Sequence, residues 1–536
     1  MKSATWMWTS IVCSLVTLAS CGLAEAQSFP RLKPIPPRGP RFSAAAVAAT
    51  PSTASPWQAL NNQPPFTTNA CNGGVPGAGN PLLLTDGSVI VQDAGCPDWW
   101  RLTPDSSGSY ANGTWTQIAS LPAGYSPLYH SSAVLPDGRV IIMGGEYNYY
   151  QGVYFVPIWT AEGAIYDPLA NLWTSVAPPP FFDVQETSFS PPLTFPPIFA
   201  QTIGDAQSIV LPNGVYMQAD CCTKQEALLD AKTLTWTPTG AGKYDINDEE
   251  GWTLLPNGEV LTVDAYVPVG FPYIPNGTNS ELYDYRTGSW HSAGSTIVQL
   301  WDSGLACGEL NAAPPTPTFE VGPGVLRADG TVFYAGSDTC PGAAGSTAIY
   351  NSFTRQWQRG PLFPEVDGVT DINIADGPAS WEPNDKVLMQ ASPEYGNPPS
   401  FFFEWDGKHL NQVPGPPNAP IEGSYVGDML LLPTGQILFT DDISTDVELY
   451  TPTITNEDRQ FQRKIAPEIV YAPPEVTPGG SYQIEGFLLN GVTQGAAYGD
   501  DVQASTNYPL VRITNLKTSH VFYSRTHDHK IGRAHV

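Results

Sequence analysis

The sequence predicts an all-β protein, a seven-bladed β-propeller followed by an incomplete β-sandwich. Three observations carry this. One strand–turn–strand phrase recurs seven times along the chain. Most copies are followed by a strand containing Tyr or Leu and then by a strand containing Trp. The last copy lacks that Trp, and an unattached Trp strand stands ahead of the first.

The clearest copy runs from Tyr129 to Gly145. Asp137-Gly138 reads as a two-residue hairpin turn, because such a turn needs φ > 0 and Asp-Gly tolerates it. Val140-Ile141-Ile142-Met143 is the apolar run of a strand covered on both faces. Ile165-Tyr166-Asp167 and Trp173 complete the unit. Asp86-Gly87 leads to Trp115, Asn213-Gly214 to Trp236, Asn257-Gly258 to Trp290, and Asp329-Gly330 to Trp357. Asn384-Asp385 opens a weaker sixth copy with Trp405, and Thr434-Gly435 opens the seventh, which ends at Tyr450. About four strands per copy and a spacing near 50 residues are the marks of a kelch-type propeller. Trp57-Gln58-Ala59-Leu60 is therefore expected to complete the seventh blade and close the ring.

The flanking segments read differently. An apolar run from Trp6 to Leu23 follows Met1-Lys2, which makes residues 1–26 a secretory signal. Ala24-Glu25-Ala26 is a small-x-small cleavage site. Leu18-Ala19-Ser20-Cys21 is a competing lipobox that would leave a lipidated Cys21. Residues 27–56 form a Pro/Ala-rich linker, and the propeller is expected over 57–460. No helical period is evident beyond the signal. From residue 466, strands such as Ser481–Ile484 and Leu510–Ile513 suggest a sandwich that stops at His529, short of the roughly 100 residues such a domain needs. Val521–Thr526 would then lack a partner. Residues 530–536 match the translation of a sequencing-adapter run and are expected to be an artefact.

A net charge of −27, with 24 Lys+Arg against 51 Asp+Glu, excludes nucleic acid as a partner. Low charge content (14%), 50 Gly and 54 Pro fit a turn-rich β protein that is secreted, extracellular or periplasmic, with no transmembrane segment, and a monomer is expected. Six cysteines follow the signal region. Cys71 and Cys96 bracket the first hairpin and Cys307 and Cys340 the fifth, so two disulfides, Cys71–Cys96 and Cys307–Cys340, are expected. Cys221-Cys222 remain, bonded to each other or free. Asn112-Gly113-Thr114 and Asn276-Gly277-Thr278 are glycosylation sequons if the host is eukaryotic.

Propellers bind ligands at one mouth of the central channel, reached by residues just ahead of each first strand. Those positions hold Tyr129 and His130, Asp205 and Gln207, Asp248, Glu249, Glu250 and Trp252, Asp371, Asn373 and Asp376, and Tyr425 and Asp428. From these, His130, Asp205, Glu249, Glu250, Asp371 and Asp428 are candidate ligand-binding residues. Tyr129, His130, Glu249, Glu250, Asp371 and Tyr425 are expected to share one pocket, suited to a carbohydrate or another polar small molecule.

Tyr129-His130-Ser131-Ser132 before its Asp-Gly hairpin, Tyr425 ahead of Leu430-Leu431-Leu432-Pro433-Thr434-Gly435, and the stretches Asn507–Arg512 and Phe522–His529 together resemble the galactose oxidase and glyoxal oxidase family of copper-radical oxidases. That resemblance implies a kelch propeller with an immunoglobulin-like early-set domain. It also implies a copper site in which Tyr129 stands for the cross-linked tyrosine and Tyr425 for the axial one, the candidate catalytic pair. The remaining ligands do not carry over. Val426 follows Tyr425 where the family has histidine, Ala78-Gly79 stand where it has the cross-linked cysteine, and Gly499–Gln503 contains no histidine. Copper(II) favours imidazole nitrogen, so no cofactor is predicted and no metal ligand is assigned. The expected function is ligand binding without copper-radical chemistry. The alternative is an alcohol or aldehyde oxidase with non-standard copper ligation, His130 among its ligands.

Overall fold

The computed structural model describes residues 55–66, 76–148, 160–186, 199–265, 277–301, 319–337, 342–374, 376–393, 396–494, 496–497 and 507–529. Within them the chain is all-β, arranged as seven four-stranded antiparallel blades. Blade one is Ala78–Leu83, Val89–Asp93, Trp99–Thr103 and Thr114–Gln117; blade two is Ser131–Val134, Val140–Met143, Gly163–Asp167 and Leu172–Val176. Blade three is Ser208–Val210, Tyr216–Ala219, Glu226–Asp230 and Thr235–Thr239; blade four is Thr253–Leu254, Val260–Val263, Asn279–Asp284 and Ser289–Ser295. Blade five is Gly324–Leu326, Thr331–Ala335, Thr347–Asn351 and Gln356–Arg359; blade six is Ala379–Trp381, Val387–Pro393, Phe401–Trp405 and Leu410–Val413. Blade seven takes Gly427–Leu431, Ile437–Asp441 and Glu448–Tyr450 from the end of the repeat array, and its fourth strand is Trp57–Ala59. First strands of neighbouring blades touch, so they line the channel.

Trp57 pairs with Tyr450, Gln58 with Leu449 and Ala59 with Glu448, which closes the ring as the missing seventh Trp predicted. The Trp57 ring packs 5.0 Å from both Phe402 and Tyr450. Its indole Nε1 donates to the Pro414 carbonyl at 2.5 Å, just past the last strand of blade six. Trp173 donates to Ala119 and Trp236 to Ala177, the corresponding places after blades one and two. Trp115 donates to Asn62, just past the Trp57 strand. The closing blade therefore makes the same inter-blade bonds as its neighbours on both sides. One apolar cluster runs through Leu430, Leu438 and Leu449, then Leu82 and Val91, then Val140 and Trp173, so the seam is packed as core.

The hairpins correct one expectation. They are not two-residue turns with φ > 0 at both centres. In blade two, Gly138 N donates to Leu135 O and Leu135 N to Arg139 O, both at 2.8 Å, and only Gly138 is left-handed (φ 84°). This is a type I turn, with Pro136 supplying the fixed φ of its second position, followed by a left-handed bulge residue. The same pair of bonds recurs in every blade, with Gly87, Gly214, Gly258, Gly330 and Gly435 at the left-handed position. Blade six puts Asp385 there at φ 64°, which is why its copy reads as the weakest.

The C-terminal region departs further. Asn456–Ile465 is a helix the sequence reading missed. Thr455 and Asp458 form a reciprocal capping box at its start, and Phe461 and Ile465 pack against the core of blades five and six. Ser481–Ile484 is not a strand; Glu485–Phe487 is, paired with Glu468–Tyr471. Val521–Ser524 does have a partner, Val511–Thr514. That hairpin sits on the turn face of blades one and two: Val521 N donates to Ser106 O, Thr526 N to Thr85 O, and Arg525 to Asp137 O. Ala496–Ala497 adds to the channel-lining strand of blade six. Among the described residues these pieces do not assemble into two facing sheets, so the expected early-set sandwich is not seen. Of the disulfide cysteines, Cys71, Cys307 and Cys340 lie outside the described residues, as do residues 1–54 and 530–536. Cys221 and Cys222 are bonded to each other. Among the described residues no helix is long and apolar enough to cross a membrane.

Trp57→Ala removes a buried indole and one inter-blade hydrogen bond at the closing strand. We expect a loss of about 3–5 kcal/mol in urea-unfolding stability; a loss under about 1 kcal/mol would show that closure does not depend on this side chain.

Candidate functional site

The chain enters each first strand from one face of the ring and turns at the glycine hairpins on the other. The entry face carries the polar residues. Here blades one, two and seven enclose a cavity of about 10 Å³, enough for one water or one small ion, lined by Asn80, Gln92, Leu128, Tyr129, His130, Asp428 and Asp442. Asn80 and Asp428 lie on channel-lining strands. Tyr129 has left-handed backbone (φ 51°) at the mouth of blade two, which points the chain into the pocket before the strand begins.

His130 is fully buried, and burial pushes its imidazole down to about pKa 3, so it is neutral. The Asn80 Nδ2 donates to its Nε2 at 3.1 Å, which puts the ring proton on Nδ1. That Nδ1 and the Asn80 Oδ1 are buried with no hydrogen-bond partner. Gln92 is held by its Nε2, which donates to the carbonyls of Cys96 and Pro127. Asp428 and Asp442 are buried neighbours. Burial, then the charge of Asp441, pushes Asp428 up to about 8, and burial with the charges of Asp428 and Asp441 raises Asp442 as well. Both carboxyls are therefore easier to protonate than an exposed aspartate.

The six residues expected to share a pocket are placed as follows. Of them only Tyr129 and His130 line the cavity, joined by Asp428. Glu250 is withdrawn between blades three and four, where the Lys243 ammonium lies 2.7 Å from it, 2.5 Å from Asp245 and 3.0 Å from Glu281. A wholly buried carboxylate needs such a partner, and the lysine supplies it. Glu249 groups instead with Glu320 and Asp376, their carboxylate oxygens within 4.8 Å of one another. Asp205 lies with Asp248 beside Cys221. Asp371 is half-buried and lines none of these groups. Tyr425 sits in a single 3-10 turn, Ser424–Val426, with 42% of its surface exposed, apart from Tyr129's cavity.

The reading missed Asn80, Gln92 and Asp442. Asn80 stands as far before Gly87 as Gln207 before Gly214 and Asp428 before Gly435, so the position rule would have found it in blade one. Asp442 had a signal too: the second strand runs into aspartate in blades one, three, four and seven, at Asp93, Asp220, Asp264 and Asp441-Asp442.

The residues present do not fit the copper that the family resemblance implies. His130 has one ring nitrogen committed to Asn80, and no group of metal-capable side chains among the described residues includes a histidine. Tyr129 lines the cavity and Tyr425 does not.

Two consequences are measurable. Burial pushes Glu226 and Glu382 up to about 8 and Glu448 to about 9. Folding therefore keeps protons that the unfolded chain releases above about pH 4.3. Their contribution is full below that pH and fades as pH rises through 8–9. The melting temperature should fall from pH 5 to pH 9; a rise would contradict the burial of these groups. Lys243→Met should cost about 3–5 kcal/mol in the same unfolding assay, because it strands buried carboxylates; an unchanged stability would mean they are fully protonated without it.

No protein-family model matches the sequence, and no curated protein matches it. The fold is similar to that of three solved structures. A fungal alcohol oxidase of the AA5 family, in complex with copper, is 13% identical with TM-score 0.48, over 88% of this chain and 94% of that one. YCF48 bound to D1 peptide is 13% identical with TM-score 0.45, over 75% and 98%. A streptogramin B lyase is 11% identical with TM-score 0.40, over 73% and 96%.

Proposed function

We propose that this chain is a secreted propeller that binds a carbohydrate or another polar small molecule at the entry face, without copper-radical chemistry. The observation that carries the reading is the cavity between blades one, two and seven. A buried amide oxygen and a buried imidazole N–H are left without partners beside two carboxyl groups. Buried polar groups are ordinarily satisfied, and a hydroxyl reaching in from the mouth can satisfy both kinds. The cavity holds one such group and no sugar ring, so the body of the ligand would lie over the mouth. The acidic groups around Asp205 and around Glu249 are of a kind that suits polyhydroxylated molecules.

Binding to a glycan array, followed by calorimetry with the best ligand, tests this. Asn80→Ala should weaken binding about tenfold, the loss of one good buried hydrogen bond. Metal analysis and a peroxide-release assay on galactose and glyoxal should find neither stoichiometric copper nor turnover. Copper with turnover would replace this reading by an oxidase; no ligand on the array would leave a purely structural module.

A further inference from the structure

We propose that the cavity between blades one, two and seven is a site for a hard divalent cation of the calcium class. The proposal deepens the reading of that cavity as a binding site and rests on it. Four observations support it. The cavity is the size of one ion or water, about 10 Å³. Its polar lining residues are mostly oxygen-bearing, Asp428, Asp442, Asn80, Gln92 and Tyr129, beside His130. Hard cations take such oxygens, and calcium tolerates irregular sets of them. The two carboxyl groups line the same cavity and are both buried, Asp428 6% and Asp442 5% exposed. Most directly, the Asn80 Oδ1 is an acceptor on a residue only 4% exposed, it lines the cavity, and no donor reaches it.

The backbone is shaped to the same end. A Cβ on Gly79 would fall 2.9 Å from the Asp442 Oδ1, and one on Gly77 would overlap the Asp442 carbonyl. Blade one thus approaches Asp442 as closely as it can, and Thr440 donates its hydroxyl to the Gly79 carbonyl across the seam. The ligand set spans the first and last blades. An ion held there would tie them together where the ring closes without a covalent bond, and a net charge of −27 favours cation uptake.

The neighbouring histidine does not convert this into a copper site, because its Nε2 already accepts from Asn80. The same buried-lysine logic appears in blade four. There Asp245, Glu250 and Asp264 bring carboxylate oxygens within 4.8 Å of one another, and the Lys243 ammonium lies against all three. Around Asp428 and Asp442 no lysine or arginine lines the cavity.

The test uses the full chain after treatment with a chelator. Calcium binding is measured by equilibrium dialysis, and melting temperature is followed with calcium, magnesium and copper in turn. We expect saturable calcium binding and a calcium-dependent rise in melting temperature. Asp428→Asn and Asp442→Asn should each weaken binding at least about tenfold, one charge-assisted ligand lost. Asn80→Ala, which leaves both carboxyls in place, is the second variant should either of these fail to fold. Glu320→Gln, in the separate acidic group with Glu249 and Asp376, should bind calcium as before. No calcium binding, or binding lost in Glu320→Gln and kept in Asp428→Asn, overturns the proposal. Glycan binding that persists in chelator without any calcium site also overturns it and leaves the proposed function standing. Calcium binding with no glycan bound sustains the cation site and removes the carbohydrate reading.

Discussion

The structure depends on the pairing of Trp57–Ala59 with Glu448–Tyr450. A propeller is a sheet array bent into a ring, and the joint that closes it is not covalent. Here the chain's first strand is the outermost strand of its last blade, so opening the seam requires breaking a β-ladder as well as an apolar contact. Trp57 reaches back to Pro414, and Trp115 reaches back to the segment just after Trp57. Those are the bonds Trp173 and Trp236 make elsewhere in the ring. The seam is therefore energetically one more blade junction, and the unpaired edge that invites aggregation in open sheets is absent from it.

Inside this ring, charge is handled by burial more than by pairing. Lys243 serves a group of carboxylates that would otherwise be stranded, and the Trp290 ring stacks under its ammonium at 5.5 Å. Glu226 answers differently: both its oxygens accept from the Trp290 indole, yet burial still raises it to about 8. In blade seven burial and the charge of Asp441 raise Glu422 to about 8, and burial raises Asp441 to about 7 against the hydrogen bonds that lower it, Glu422's among them. Burial that raises carboxyls in this way makes the fold favour their protonated forms.

The repeats were legible in the sequence because each carries its own local chemistry. The left-handed turn residue must be glycine or a tolerant aspartate, and the outer Trp must meet the previous blade, so both recur at nearly fixed spacing. Even the closing strand could be found, from a Trp missing in one place and present in another. The helix at Asn456–Ile465 was missed because its apolar face is only Phe461 and Ile465; its legible sign was the capping pair Thr455 and Asp458. The sandwich is not seen among the described residues, where Val511–Thr514 and Val521–Ser524 pair with each other and rest on the turns of blades one and two. The site was half legible. Position ahead of the turn picked out Tyr129, His130 and Asp428, but it cannot say which mouth residues turn inward together. Glu250 was lost to Lys243, a partner seven positions before it in the chain.

That division follows from how the repeat distributes constraint. The turn face and the outer strands are fixed by backbone geometry and packing, so they repeat. Entry-face residues answer only to their neighbours across the channel, so each blade can hold something different. The positions that the family resemblance assigns to imidazole and thiol hold Val426 and Ala78-Gly79 here. Val426 is buried as packing, and its carbonyl accepts the Asp442 amide. Gly79 clears the space that Asp442 fills. Together the glycine and the valine let a carboxylate from the last blade lean into the first.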